Sequence, residues 1–320
     1  MIDFTDYPID ITADFGGSDQ KRGIIYNNEK YMLKFSDKIG DDKRNELNSS
    51  YSNSVLSEKL CCDILKALGF EVQETKLGYI RRENKENKPV VACKIFSKPN
   101  CKMVSFKAIT EAILDEKPGK IPKIDEIYKI FLKPNAYFKT VQDCETALAI
   151  YWDRFILDAL LGNFDRHANN WSYFVNNETG DISATPIYDC GSCLYPQVSD
   201  EGAIKILSSQ LEINKRIEVF PKAALLDENN EKIIYKNFIG SLKNKDCNEA
   251  LLRVIPKIDF KVIDEIIDNL ECSNIRKSFY RIMLKERYNQ ILLPAYEQLK
   301  NNEFIKYNDY DNEIDDLDEI

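Results

Sequence analysis

Histidine occurs once in the 320 residues, at position 167, so imidazole can complete at most one metal site. Long apolar runs are missing too. None approaches the roughly 18 residues that a membrane-spanning helix needs. The opening residues, Met1-Ile2-Asp3-Phe4-Thr5-Asp6, are acidic and lack a basic n-region, so they do not read as a secretory signal peptide. Positive charge is in deficit. Against 53 Asp and Glu stand 44 Lys and Arg, a net charge of −9. That argues against a duplex-DNA surface and leaves room only for a local basic patch. The nine cysteines follow no zinc-ligand spacing. One C-x-x-C match exists, Cys190-Gly191-Ser192-Cys193, but it adjoins Asp189 instead of opening a thioredoxin-type helix. The thiols therefore read as reduced, in a cytoplasmic compartment. There is no internal repeat.

Hydrophobic residues at 43% and charged residues at 30% are ordinary for a globular protein. The length suits one two-lobed unit or two small domains. The first third predicts a small sheet with one helix. Ile24-Ile25-Tyr26 and Tyr31 to Phe35 form a hairpin closed by Asn27-Asn28. Residues 38 to 53 are polar and loop-like. From Asn53 to Leu68, Val55, Leu56, Leu60, Ile64, Leu65 and Leu68 recur at helical spacing, and Gly69 follows as a C-cap. Strands are expected at Gln73 to Arg81 and Val90 to Phe96, parted by a charged turn from Arg82 to Lys88.

Beyond Ser97-Lys98-Pro99-Asn100 the pattern turns helical. Thr140 to Leu161 carries a broad apolar face that includes Ala147, Tyr151, Phe155 and Ala159. Trp171 to Val175 alternates as a strand, Asn176 to Asp181 turns the chain, and Ile182 to Tyr188 returns. More amphipathic helices follow Lys222. Seven acids among Asp309 to Ile320 read as a solvated tail, or as a segment that docks on a basic surface.

The most informative stretch is Gly162-Asn163-Phe164-Asp165-Arg166-His167-Ala168-Asn169-Asn170. Asp165 and Asn170 lie five apart, and Tyr188-Asp189-Cys190-Gly191 comes after the expected hairpin. Phosphoryl transfer uses such a set: one carboxylate to orient the attacking hydroxyl, and an Asn and an Asp to hold Mg²⁺ on the phosphates. Protein kinases usually read His-Arg-Asp before the Asn. Here the triplet is reversed. Alone, Asp165 would be a turn-capping residue; the fixed offsets to Arg166, His167 and Asn170 make that reading insufficient. His167 is expected to shape the loop and approach the nucleotide phosphates.

Lys34 ends a predicted strand. A strand lysine ordinarily points to solvent, whereas a kinase needs one ammonium on the α/β-phosphates, held by a helix glutamate. Glu58, on the next helix, is the natural partner; the lesser alternative is plain surface charge. Gly16-Gly17-Ser18-Asp19-Gln20-Lys21 could cover phosphates with its backbone N–H groups, or be a plain turn.

Together these residues resemble the HipA-like serine/threonine kinase family, in order along most of the first 200 residues. The reversed Asp-Arg-His loop is shared with phosphoinositide-3-kinase-like enzymes. Gly16 to Lys21 is similar to the family's phosphate loop, and Tyr31 to Phe35 to its Lys-bearing strand. Glu58 precedes Gly69 by eleven residues, like the family's helix glutamate. Ala92-Cys93-Lys94-Ile95-Phe96 falls at the adenine hinge, where only the Phe of the family's Glu-Arg-Phe remains.

The resemblance implies an α+β, two-lobed protein-kinase-like fold. Residues 1–97 would form a small sheet-plus-helix N-lobe, and residues 98–320 a mostly helical C-lobe. It implies ATP and Mg²⁺ as cofactors. Catalysis would fall to Asp165, Lys34 and Glu58, and Mg²⁺ to Asn170 and Asp189. The nucleotide would meet Gly16, Gly17, Ser18, Asp19, Gln20, Lys21, Lys34, Cys93, Lys94, Ile95, Phe96, His167, Asn170, Tyr188 and Asp189. Family members can modify a serine near the phosphate loop, which points to autophosphorylation and to Ser18. The substrate would be a Ser or Thr hydroxyl of a protein. Full-length relatives begin with an extra subdomain that helps bind an antitoxin; this chain starts at the kinase-like portion, so neither antitoxin nor operator DNA is implied. Likeness to a stand-alone member implies action inside a host cell, by export without a signal peptide. A phosphoinositide or small-molecule kinase is the alternative, against which the net charge of −9 leans. A catalytically silent nucleotide-binding regulator is the other, against which the joint presence of Lys34, Asp165, Asn170 and Asp189 argues.

Overall fold

The computed structural model describes residues 1–12, 21–36, 53–114, 119 and 121–301. Its first part holds β1 (Ile2–Asp3), β2 (Lys21–Tyr26), β3 (Glu29–Phe35), α1 (Ser54–Ala67), β4 (Thr75–Arg82) and β5 (Lys85–Lys94). The strands form one sheet in the order β1-β4-β5-β3-β2. The β2–β3 hairpin turns on Asn27 and Asn28 at φ 49° and 63°, the left-handed backbone that a tight hairpin turn demands and Asn tolerates.

Strand alternation decides what each face does. Ile24, Tyr31, Leu33, Val90 and Ala92 gather on one side under Phe4. Leu77, Val91 and Cys93 face the other side and join the core against α1. Lys34 lies opposite Val91 and Met32 opposite Cys93, so Lys34 shares the face that looks toward α1. Lys21 is paired with Lys34 across β2 and β3, which puts both ammonium-bearing side chains on that face.

Two departures from expectation concern this sheet. The run from Arg82 to Lys88 is mostly strand, since β5 begins at Lys85 and only Glu83-Asn84 turns. Asn84 at φ 55° makes that turn tight, and the charged residues sit on the exposed end of the hairpin, where polarity does not oppose pairing. The two-residue β1, parallel to β4, is too short to leave a period in the sequence. It is also why residue 78 is glycine. A Cβ there would lie 2.3 Å from the Ile2 carbonyl oxygen and 2.4 Å from the Phe4 ring.

The second part holds β6 (Cys101–Ser105), α2 (Phe106–Leu114), α3 (Ile124–Phe131), α4 (Val141–Leu161), β7 (Ser172–Asn176) and β8 (Ile182–Ala184). After these come α5 (Asp200–Leu207), α6 (Gln210–Glu218), α7 (Tyr235–Gly240), α8 (Lys245–Val254), α9 (Phe260–Asn269) and α10 (Asn274–Arg287). α4 starts one residue later than expected. Thr140 is its N-cap, accepting from the Asp143 N–H, while the Asp143 carboxylate accepts from the Thr140 N–H.

The hairpin expected after Trp171 gains a third strand, in the order β6-β7-β8. Its last strand stops at Ala184 instead of Tyr188. Ile187 turns instead to the α1–β4 linker, accepting from the Gln73 N–H at 2.9 Å and donating to the Glu71 carbonyl at 2.8 Å. That bridge ties the stretch before Asp189 to the five-stranded sheet. No helix among the described residues is long and apolar enough to cross a membrane. The acidic tail lies outside the described residues.

Candidate active site

α1 buries one face made of Val55, Glu58, Cys61, Cys62 and Leu65, at three- and four-residue steps. Glu58 is only 1% exposed, a position that an isolated carboxylate could not hold. Its partner is Lys34, whose Nζ lies 2.8 Å from Glu58 Oε2. The same Nζ lies 2.8 Å from Asp189 Oδ1. The second oxygen of Glu58 accepts the Cys190 N–H at 3.1 Å. Three chain segments thus converge on one ammonium.

Burial alone would lower the Lys34 pKa; Glu58 and Asp189 together override it and hold the ammonium well above its usual range. For Glu58 burial is the larger influence and raises the carboxyl against the pull of Lys34. Asp189 is also raised by burial, but Lys34, Arg166 and Lys21 jointly bring it below its usual value. Asp189 sits at φ 60°, a left-handed backbone that Asp accepts more readily than most residues.

The loop that follows α4 is built from its cap outward. Gly162, at φ 63°, reverses the chain. Asn163 is fully buried and donates to Asp158 Oδ1 at 2.8 Å. Its Oδ1 accepts the Asp165 N–H at 3.0 Å, which presents the Asp165 side chain outward, 42% exposed. Asn170 donates through Nδ2 to the Asp165 carbonyl at 2.7 Å. That bond fixes the amide's orientation and turns its Oδ1 the other way.

Arg166 is the strut of the loop. Its Nε lies 3.1 Å from Asp158 Oδ2. Its Nη1 donates to the Asn170 carbonyl at 2.9 Å and to the Tyr188 carbonyl at 2.5 Å. One guanidinium therefore sets the backbone at Asn170 and just before Asp189, which a single ammonium could not do. The roles of Arg166, Asp158 and Asn163 were not legible in the motif. The available signal was the Arg enclosed between Asp165 and His167, with an Asp two helical turns upstream.

The other expected residues fall as follows. His167 Nε2 is 3.8 Å from Asp165 Oδ1, and its Nδ1 accepts the Asn169 N–H at 3.3 Å, a loop-shaping position. Tyr188 shares a hydrogen bond with Ser172 at 2.8 Å, and its ring packs on Phe96 with centroids 5.7 Å apart. Cys93 is fully buried at the end of β5. The Lys94 backbone is engaged within the sheet region, its N–H on the Glu74 carbonyl at 2.8 Å and its carbonyl on Gln73 Nε2 at 2.9 Å. The Ile95 N–H likewise bonds the Lys30 carbonyl at 2.9 Å. The Lys94 and Ile95 N–H groups are thus engaged within the sheet region, while the Lys94 carbonyl keeps a second lone pair. Gly16, Gly17, Ser18, Asp19 and Gln20 lie outside the described residues; Lys21 begins β2.

Comparisons with known proteins place the chain in a family. Residues 14–255 match the model of the HipA-like C-terminal domain. The chain is 39% identical over 324 residues to the serine/threonine-protein kinase CtkA of Helicobacter pylori strain J99, covering 99% of this chain and 95% of that protein. It is also similar to the crystal structure of the Helicobacter pylori proinflammatory kinase CtkA. The TM-score is 0.82 and the identity 38%, over 93% of this chain and 97% of that one. With a helix glutamate on a strand lysine and an Asp-Arg-His loop behind them, the chain belongs to the HipA-like serine/threonine kinase family.

Proposed function

We propose that this chain transfers the γ-phosphate of ATP, with Mg²⁺, to Ser or Thr hydroxyls of a protein. The observation that carries the reading is the Lys34 ammonium held between Glu58 and Asp189, each at 2.8 Å. A lysine fixed by a buried carboxylate beside a second carboxylate is what nucleotide phosphates and their metal ion require. Asn170 Oδ1 and the Asp189 carboxylate are hard oxygen donors and fit Mg²⁺. When bound, Mg²⁺ would neutralise charge on the phosphates. Lys34, kept in place by Glu58, would neutralise the α/β-phosphates, with Lys21 on the same sheet face. Asp165 would orient the substrate hydroxyl and accept its proton. The base would rest at Cys93 to Phe96, beside Tyr188. On this reading residues 1–97 and 98–320 are the two lobes around the nucleotide. The rate would come from positioning and charge complementarity, since phosphoryl transfer asks little covalent chemistry of the protein.

Incubating the protein with γ-labelled ATP, Mg²⁺ and a mixed protein lysate, followed by phosphosite mapping, tests this. Label on Ser or Thr that vanishes with Asp165→Asn supports it; label only in lipid or small molecules, or none, overturns it. Autophosphorylation at Ser18 is part of the same proposal. A phosphate there adds about −1.5 to −2 charges and would compete with ATP for Lys21 and Lys34. Mass spectrometry of protein incubated with Mg-ATP should find Ser18 modified and the modified form inactive; phosphate elsewhere with Ser18 untouched would overturn it.

A further inference from the structure

Behind the Lys34–Glu58 pair lie two thiols that phosphoryl transfer does not use, within reach of the Glu58 carboxylate. Glu58 and Cys62 are four residues apart on α1 and so share its buried face. Cys190 follows Asp189, and its N–H already bonds Glu58. The result is a carboxylate oxygen and two sulfurs within 4.8 Å of one another, on residues 1%, 2% and 0% exposed. Cys193 sits in hydrogen-bonding contact with Cys190 and with Cys61. In a tetrahedral zinc site, metal–sulfur distances of about 2.3 Å and metal–oxygen distances of about 2.0 Å place ligand atoms roughly 3.4–3.8 Å apart.

We infer that Glu58, Cys62 and Cys190 form a three-ligand binding site for a thiophilic divalent cation of the Zn²⁺ or Cd²⁺ class. Thiolates select such ions over Mg²⁺, which separates this site from the oxygen donors of Asn170 and Asp189. Binding releases the thiol protons as metal–sulfur bonds form, with no change of oxidation state. The ion takes the carboxylate that holds Lys34. On the proposed function of the neighbouring residues, occupancy therefore inhibits phosphoryl transfer.

Cd²⁺ titration of the full-length chain, kept reduced by a phosphine, reads binding directly through the ultraviolet thiolate-to-cadmium absorption. One ion per chain is expected. Cys62→Ser and Cys190→Ser should each weaken it by at least about tenfold, whereas Cys101→Ser and Cys272→Ser, at the two partly exposed cysteines, should not. Alkylation mapping on the unsubstituted protein in mild denaturant, where transient opening exposes the buried thiols, should show Cys62 and Cys190 protected by Cd²⁺, which decides the matter should a variant fail to fold. No thiolate band, unchanged binding in Cys62→Ser, or protection confined to Cys101 and Cys272 would overturn the site and leave a cluster of packed thiols. For the coupling, Cys62→Ala should keep basal activity and resist Zn²⁺. Equal inhibition of it and the wild type would overturn that part. The absorbance and alkylation results hold even where no kinase activity is found, so failure of the site and failure of the kinase reading are told apart.

Discussion

Lys34 and Asp189 form an ion pair of 2.8 Å although 155 positions separate them. The contact joins β3 of the five-stranded sheet to the loop beyond β8. Both partners depend on neighbours fixed elsewhere: Lys34 on Glu58, and Asp189 on the Tyr188 carbonyl that Arg166 holds. The candidate site is therefore a junction of two sheets and one helix, and its parts are expected to respond separately to substitution.

Asp165→Asn should lower kcat by about 10²–10⁴-fold, the usual worth of a positioned general base. Nucleotide affinity should hardly change, because the side chain points outward and its backbone bonds persist. Steady-state kinetics with calorimetric ATP titration measure both; more than about a tenth of the wild-type kcat would remove Asp165 from this role.

Asn170→Ala and Asp189→Ala should each weaken nucleotide binding in Mg²⁺ and leave the metal-free affinity less affected, since each removes a hard oxygen donor. Calorimetry with and without Mg²⁺ gives the comparison. Wild-type Mg²⁺ dependence in both variants would rule the assignment out.

Arg166→Leu should destabilise the fold by about 3–5 kcal/mol, because it leaves Asp158 buried without its countercharge. Arg166→Lys should recover only part of this, as one ammonium cannot reach Asp158 and both carbonyls. Denaturant unfolding reports the loss, and a cost below about 1 kcal/mol would show the strut to be dispensable.

The Lys34 pKa, raised above 10.5 in the folded chain, fixes a pH dependence. A raised lysine contributes stability that is fully present below its unfolded value and is lost as pH climbs toward the folded one. The stability difference between wild type and Lys34→Met should thus be flat at neutral pH and narrow only above 10.5. Unfolding curves that converge already between about pH 7 and 9 would contradict the ion-paired state.

Gly78→Ala should cost about 1–3 kcal/mol, the usual penalty for overpacking. Its Cβ would collide with the Ile2 carbonyl and the Phe4 ring. A melting curve unchanged from wild type would show that β1 yields without cost.

The sequence alone determined what depends on neighbours in the chain. The β2–β3 hairpin follows from Asn27-Asn28 between apolar strands, α1 and α4 from their apolar spacing and caps, and the Asp165–Asn170 offset from a single loop. These are short-range matters of period, turn chemistry and hydrogen bonding, and they also carried the family resemblance. Tertiary structure decided everything that needed two distant segments to meet. β6 had no pattern of its own until it paired with β7, and β8 ended early because Ile187 found Glu71 and Gln73. Asp158 looked like one more helix residue until the buried guanidinium of Arg166 reached it. Cys62 and Cys190, which show no ligand spacing 128 positions apart, became neighbours only when α1 docked on the Asp189 loop. Docking, register and burial are set by which apolar faces cover one another, and no local window of the chain contains both faces.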